Sequence, residues 1–399
     1  MRTRFSLGGL CLAILLCGQL ALAEDKFEVK PGSLWVMGGD SITAQRQHSN
    51  YIEAYYRTRF PNAKLQFRNS GVGGNTTGSL LGRFEPEVAG FKPTIVSVEL
   101  GMNDVGGGPD PARYIAGMKT LVERIRALNA TPLLISSSPV NDGSMLDNWK
   151  GDRCKNIHPY TNALIEFGKE QKVFVVDQYH PLLTLWGENA AKGDKRVNLT
   201  GDAVHPGPPG QLSMAAAILK ALGADPDVSS ATLKADGTVV DAKHCKITNA
   251  KGDKDGLSFT RIDERSPWPI VTAARPALQL TSDIADMSKY LLTVTGLADG
   301  DYVVQMNGVK AATVSAKDLA QGWNMSFVEA GPIADRAKKI TDQIGMLQSQ
   351  LNNNWRTASK AKDAGKLAEA QSAIDKAEAE LAEACQPVSI DFQITKLSQ

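Results

Sequence analysis

Nowhere in the 399 residues do Lys and Arg gather into a basic stripe interleaved with aromatics. Lys and Arg total 44 against 43 Asp and Glu, a formal charge of +1, so the electrostatic footprint of a nucleic-acid binder is missing. Nucleic acid is therefore not an expected partner. Aromatic residues make up only 6% of the chain, and no long apolar segment that would serve as an interfacial lid occurs. Both absences speak against bulk lipid as a substrate. Beyond residue 23 no run is apolar and long enough to span a bilayer, which takes about 20 residues. No internal repeat occurs, so a solenoid or propeller is excluded.

Cysteine is scarce, and its distribution turns on the N-terminus. Arg2 and Arg4 precede the apolar run "LCLAILLCG", and Ala21-Leu22-Ala23 precedes charged Glu24-Asp25. This is the pattern of a signal peptide over residues 1–23, with an apolar core short for a membrane anchor. The expected location is periplasmic or secreted, with no integral membrane segment after cleavage. Cys11 and Cys17 leave with the signal, and Cys154, Cys245 and Cys385 remain. An odd number in an oxidising compartment allows one bridge and one free thiol. Of the possible pairings, Cys245 with Cys385 is favoured because both lie in the C-terminal half.

What the chain does contain begins near residue 33. The apolar runs "SLWVMG", "KLQFRN", "TIVSVELG", "TPLLISSS" and "VFVVD" alternate with helical patterns such as "SNYIEAYYRTRF", "ARYIAGMKTLVERIRALNA" and "NALIEFGKEQ". Strands buried on both faces and joined by helices give a parallel sheet in an α/β layer fold, with ligands bound beyond the C-terminal strand ends. This unit is assigned to 24–225. After the helix "GQLSMAAAILKALG", residues 224–237 are rich in Asp, Ser and Ala and read as a linker. The period then changes: "LSFTRID", "ALQLT" and "KYLLTVTGL" read as strands, and "DYVVQMNGVKAATVS" as a hairpin turning on Asn307-Gly308. These make a small β module, 226–332. Ile340, Ile344, Leu347, Leu351 and Trp355, then Leu367, Ile374, Ala377 and Leu381, fit a helical hairpin over 333–385. "PVSIDFQITKL", within 386–399, is strand-like and returns to the β module.

Four short pieces carry candidate chemistry. "GGDSITA" ends the first strand, placing Ser41 where a hydroxyl faces the crevice, although Asp40 or Ser41 would equally cap the next helix. "RNSGVGGNTTG" follows the second strand, and glycine there lets a backbone N–H approach a ligand. "VELGMND" brings Asn103 to the same rim, where its amide can donate to an oxyanion, while Asp104 is placed to cap the next element. "GDAVHPGPPG" puts Asp202 and His205 three apart on a proline-stiffened loop. Such a pair can act as a base and the acid that orients it. A nucleophile, two kinds of donor, an acid and a base thus fall in chain order along one sheet edge.

Taken together, the set resembles the SGNH, or GDSL-type, hydrolase family of esterases and acylhydrolases over residues 33–222. "VELGMND" with "DAVHP" is especially like its bacterial periplasmic thioesterase and lysophospholipase branch. The resemblance implies a three-layer flavodoxin-like sandwich, carried here with the C-terminal β module and its helical hairpin. It implies Ser41 as nucleophile, His205 as base and Asp202 as its orienting acid. The oxyanion would be held by the backbone N–H of Ser41 and of Gly74 and by the side chain of Asn103, with no metal or other cofactor. Gly74 is preferred to Gly73 because the family glycine directly precedes an acid-Thr pair, seen here as Asn75-Thr76. Asn in place of Asp there, and Ile42 in place of the commoner leucine, are departures. The Gly-x-Ser-x-Gly elbow is missing, which disfavours an α/β-hydrolase despite the shared chemistry. The implied activity is that of an exported serine ester hydrolase, with short-acyl, acetyl esters of carbohydrates preferred as substrates. The alternatives are a thioesterase or lysophospholipase type of acylhydrolase and a non-catalytic, exported glycan-binding scaffold. Trp268 in "SPWPI" is read as a core residue in preference to one placed over the pocket.

Overall fold

The structure, a computed structural model, describes residues 26–140, 152–200 and 202–397. The expected signal segment, 1–23, lies outside them, and so does the side chain of Cys154.

Five parallel strands form the central sheet: β1 (Leu34–Gly39), β2 (Gln66–Gly71), β3 (Ile95–Glu99), β4 (Thr131–Ile135) and β5 (Phe174–Val176), in the order β2-β1-β3-β4-β5. That is the flavodoxin-like order. Side chains along β1 alternate between two cores, Trp35 and Met37 entering one and Val36 the other, as a strand sandwiched between helical layers requires. The short α1 (Ser41–Ala44) leads into α2 (Gln47–Arg59), which packs with α8 (Pro208–Ala221) on the Trp35 side. On the Val36 side lie α5 (Ala112–Ala127) and α6 (Asp152–Gln171). Between β2 and β3 come α3 (Thr77–Gly82) and α4 (Phe84–Glu87), and α7 (Tyr179–Ala190) follows β5. Gly39 is in register with Gly71 of β2 and Glu99 of β3, so the C-terminal strand ends form one line. Every loop named for chemistry leaves from that line or from the segment before α8.

The β module is two facing sheets. One contains β6 (Asp227–Lys234), β7 (Val239–Lys243), β10 (Lys289–Thr295) and β13 (Trp323–Asn324). The other contains β8 (Cys245–Asp253), β9 (Gly256–Asp263), β11 (Asp301–Met306), β12 (Val309–Ser315) and β14 (Ser389–Lys396). The short α9 (Asp283–Asp286) and α10 (Ala316–Gln321) fill connections. The turn between β11 and β12 is Asn307-Gly308, both at positive φ, as a two-residue hairpin demands.

Three sequence expectations fail here. Residues 224–237 are largely not a linker, because Asp227–Lys234 is β6, its Val228, Ala231 and Leu233 buried between the sheets. "ALQLT" is not a strand: Thr272–Gln279 is a 3-10 helix, with Pro276 removing a ladder donor. Cys245 and Cys385 do not pair; both are free. Cys245 opens an outer strand of the β module, whereas Cys385 is buried at the end of a helix in the core beneath the α/β sheet.

The helices of the C-terminal hairpin are α11 (Pro332–Gln350), continued through one π turn, Leu351–Trp355, into α12 (Arg356–Ala361), and α13 (Ala364–Ala384). They cover an edge. β2 ends the central sheet and would otherwise expose unpaired backbone, but Gln348 accepts from Asn69 N–H at 3.2 Å and donates to Phe67 O at 3.1 Å. Glu378 of α13 accepts from Arg57 and Arg68, both buried, at 2.6 and 2.7 Å. Trp355 stacks on Phe91 with ring centroids 3.9 Å apart. Trp268 is a core residue, 1% exposed, with its indole N–H donating to Tyr51 O at 2.8 Å. No helix among the described residues is long and apolar enough to cross a membrane.

Candidate active site

β1 must end in glycine because α1 descends onto it. A Cβ at Gly39 would sit 2.0 Å from Thr43 Oγ1, and one at Gly71 would sit 2.4 Å from Ala44 N. Asp40 then caps the helix, its carboxylate accepting from Ile42 N–H at 2.9 Å. Capping therefore falls to Asp40 and leaves the Ser41 hydroxyl available. His205 Nε2 lies 2.9 Å from Ser41 Oγ. On the other side of the ring, Nδ1 lies 2.9 Å from Asp202 Oδ2 and 3.1 Å from Oδ1. A carboxylate only accepts, so Nδ1 carries the proton, and Nε2 is left as the acceptor of the serine O–H. Hydrogen bonds from His205, side chain and backbone, and from Val204 N–H hold the Asp202 carboxyl down to about 2.

Gly74 stands exposed at the tip of the loop after β2 with φ +72, a conformation in which a side chain would be strained. Asn103 follows β3 and donates from Nδ2 to Asn75 O at 3.1 Å, tying the two donor loops together. An amide nitrogen has two protons, so one N–H remains for a ligand. Asp104 does not cap its own element; it accepts from Thr77 N–H at 3.1 Å and from Thr77 Oγ1 at 2.9 Å, holding the start of α3. Ser41, His205 and Asp202 thus form one hydrogen-bonded chain, and Gly74 and Asn103 sit on joined loops at the same rim of the sheet. Among the described residues no group of three or more His, Cys, Asp or Glu could hold a metal ion.

Sequence reasoning passes over what lies beneath. His48, 3% exposed, places Nε2 2.9 Å from Glu99 Oε2 and Nδ1 2.7 Å from Gln211 Oε1. Glu99 also accepts from Gln178 Nε2 at 2.8 Å and from Thr43 Oγ1 at 3.3 Å. Burial disfavours the imidazolium, but adjacent Glu99 outweighs it and raises the His48 pKa. The available signal is Glu99 itself, an acid closing a largely apolar strand where burial is expected.

The same floor acts on Asp40, whose carboxyl is pushed up to about 7 by burial and by the charge of Glu99, against the opposing Ile42 N–H, His48 and His205. Its ionised form is disfavoured in the fold, so stability is lost as pH rises from about 4 to about 7 and is level above that. Asp40→Asn keeps a capping oxygen and removes the charge. Urea unfolding should show the variant equal to the parent near pH 4 and more stable at pH 8, by at most about 4 kcal/mol. Equal stability at both pH values would mean that Asp40 carries no such penalty.

Residues 38–212 match the GDSL-like Lipase/Acylhydrolase family. An acetylxylan esterase of Geobacillus stearothermophilus is 26% identical over 190 residues, 43% of this chain and 79% of that protein. Esterase TesA of Pseudomonas aeruginosa is 30% identical over 129 residues, 31% of this chain and 60% of that protein. Among solved structures, BT4096, described as a gut microbial diltiazem-metabolizing enzyme, superposes with a TM-score of 0.80 at 22% identity, covering 93% of this chain and 99% of that one. That likeness is one of fold, and it extends beyond the α/β unit into the C-terminal half.

Proposed function

Because residues 38–212 belong to the GDSL-like lipase/acylhydrolase family, we propose that this protein is a serine esterase working through an acyl-enzyme, on short-acyl esters of carbohydrates. The observation that carries the reading is the 2.9 Å approach of His205 Nε2 to Ser41 Oγ, with Asp202 behind the ring. In the mechanism His205 takes the serine proton as Oγ attacks the ester carbonyl. The tetrahedral oxyanion is held by Ser41 N–H, Gly74 N–H and the free N–H of Asn103. Collapse expels the alcohol, which receives the proton from His205, and water activated by the same imidazole releases the acid.

The short acyl group is supported by packing. Ile42 and Met102, the apolar neighbours of Ser41 and Asn103, are buried with Val140, Leu182, Trp186, Leu199 and Met214 in one cluster. Among the described residues these side chains pack against one another beside the catalytic serine and the Asn103 loop, which favours a small acyl group there. The acetylxylan esterase relative supports the carbohydrate half of the reading. The signal pattern at residues 1–23 supports export to the periplasm or beyond.

A panel of acetylated polysaccharides and oligosaccharides, long-chain esters and thioesters, scored for released acid, tests the substrate. Acetyl carbohydrates should exceed long-chain esters by at least about tenfold in kcat/KM, the lower range of what a pocket's apolar fit discriminates. Preference for long acyl chains or thioesters would replace the substrate class and leave the chemistry. No turnover of any member by folded protein would favour a binding role.

A further inference from the structure

Arg83 lies between the two segments that this chemistry has to hold in register. Its Nε donates to Asn75 Oδ1 at 2.7 Å, and its Nη2 donates to Gly39 O at 3.3 Å. Asn75 directly follows Gly74 and supplies the carbonyl that fastens Asn103. Gly39 directly precedes Asp40-Ser41. One guanidinium therefore touches the carbonyl just before the nucleophile turn and the side chain of Asn75, the residue that follows Gly74 and whose own carbonyl ties down Asn103.

The group is itself fixed from behind. Arg83 Nη1 donates to Ser70 Oγ and to Glu87 Oε2, each at 2.9 Å. Glu87, 2% exposed, also has Arg356 Nε 3.1 Å from Oε2 and Lys360 Nζ 3.2 Å from Oε1. Arg356 extends both Nη atoms to Gly71 O at 3.4 Å, the end of the strand that feeds the Gly74 loop. Arg356 and Lys360 both stand on α12, within the C-terminal hairpin. One cation would satisfy a buried carboxylate, yet this one gathers three, from two parts of the chain. Asn75 also finds an explanation here: its neutral amide takes the Arg83 N–H, while Glu87 supplies the counter-charge.

We propose that Arg83 is a positioning residue that sets the Ser41 turn against the Gly74 and Asn103 donors, and that the helical hairpin holds it there through Arg356 and Glu87. The hairpin is thereby part of the working oxyanion geometry as well as a cover for the β2 edge. The proposal rests on the esterase reading.

The test is steady-state hydrolysis of p-nitrophenyl acetate by the full chain, with Tm measured in parallel. The proteins are wild type, Ser41→Ala, Arg83→Gln, Asn75→Ala, the Arg83→Gln/Asn75→Ala double variant and Arg356→Gln. Activity in wild type that is lost in Ser41→Ala secures the esterase reading; an inactive wild type overturns that reading, whatever Arg83 does. Given activity, Arg83→Gln should lower kcat by about ten- to a hundredfold with KM within about threefold, the signature of misplaced donors. Because Arg83 acts through Asn75, the double variant should be no worse than Arg83→Gln alone. Arg356→Gln, one step removed, should lower kcat by about two- to tenfold, again at constant KM. Unchanged kcat in Arg83→Gln, or losses that simply add in the double variant, overturns the proposal. Should Arg83→Gln fail to fold, Asn75→Ala and Arg356→Gln decide, and full kcat in both overturns it.

Discussion

Ser41→Ala is expected to lower kcat/KM for p-nitrophenyl acetate by about ten-thousandfold or more, and His205→Ala by a similar factor. The two side chains act as one unit: the hydroxyl is a weak nucleophile until Nε2 removes its proton, and the imidazole has no role without an oxygen to activate. Removing both should therefore cost little more than removing either, and steady-state rates of the single and double variants check this directly. Neither change should unfold the protein. Ser41 sits at the start of α1, where the cap is made by Asp40 and not by its own hydroxyl. His205 belongs to a loop whose backbone is held by Asp202 Oδ1 through the N–H groups of Val204 and His205 at 2.8 Å. Residual activity near that of wild type in Ser41→Ala would remove the serine from the mechanism.

Asp202→Asn should lower kcat by about a thousandfold while leaving Tm nearly unchanged. An Asn oxygen can still accept the two backbone N–H groups, so the loop keeps its shape. What changes is the imidazole. The amide can donate to Nδ1, which moves the ring proton to Nε2 and turns the base away from its task. The loss should fall toward the lower end of what triad acids show, because the Asp202 side chain is 61% exposed and water screens its charge. Asp202 stays ionised down to about 2, so a fall in activity on acidification between pH 7 and pH 4 belongs to another group. A pH profile of kcat/KM together with the Asp202→Asn rate tests both statements. A loss below tenfold would show that the imidazole is oriented without this carboxylate.

The parts of the structure that can be read from the chain are those in which one short segment states its own role. The central strands are runs of apolar residues because helices cover both their faces, and each ends where glycine or a polar residue meets the crevice. Ser41, Gly74, Asn103 and the Asp202-His205 pair are visible for that reason, each standing at a strand end or at the loop before α8. Elements whose identity depends on distant partners are harder to see. β6 hides behind serine, alanine and aspartate because small side chains suffice between closely packed sheets. β7 is exposed along its whole length, its Val239 and Val240 included, so no buried, alternating face marks it as a strand. His48 looks like a polar residue in the first turn of a helix, and only the fold brings Glu99, Gln178 and Gln211 around it. The Arg83 cluster is hidden in the same way, since Gly39, Asn75, Glu87 and Arg356 meet only after the hairpin has folded back on the edge of β2. Local chemistry is legible, whereas the buried charges that brace it are tertiary.

The most direct measurement of the central claim is covalent trapping. Purified protein is treated with a fluorophosphonate, which reacts with an activated serine and leaves a tetrahedral phosphoryl group in the oxyanion site, and the adduct is located by peptide mass spectrometry. The expected result is a single modification on Ser41, absent from Ser41→Ala and strongly slowed in His205→Ala. An enzyme that hydrolyses esters yet carries the label on another residue, or none at all, would contradict it.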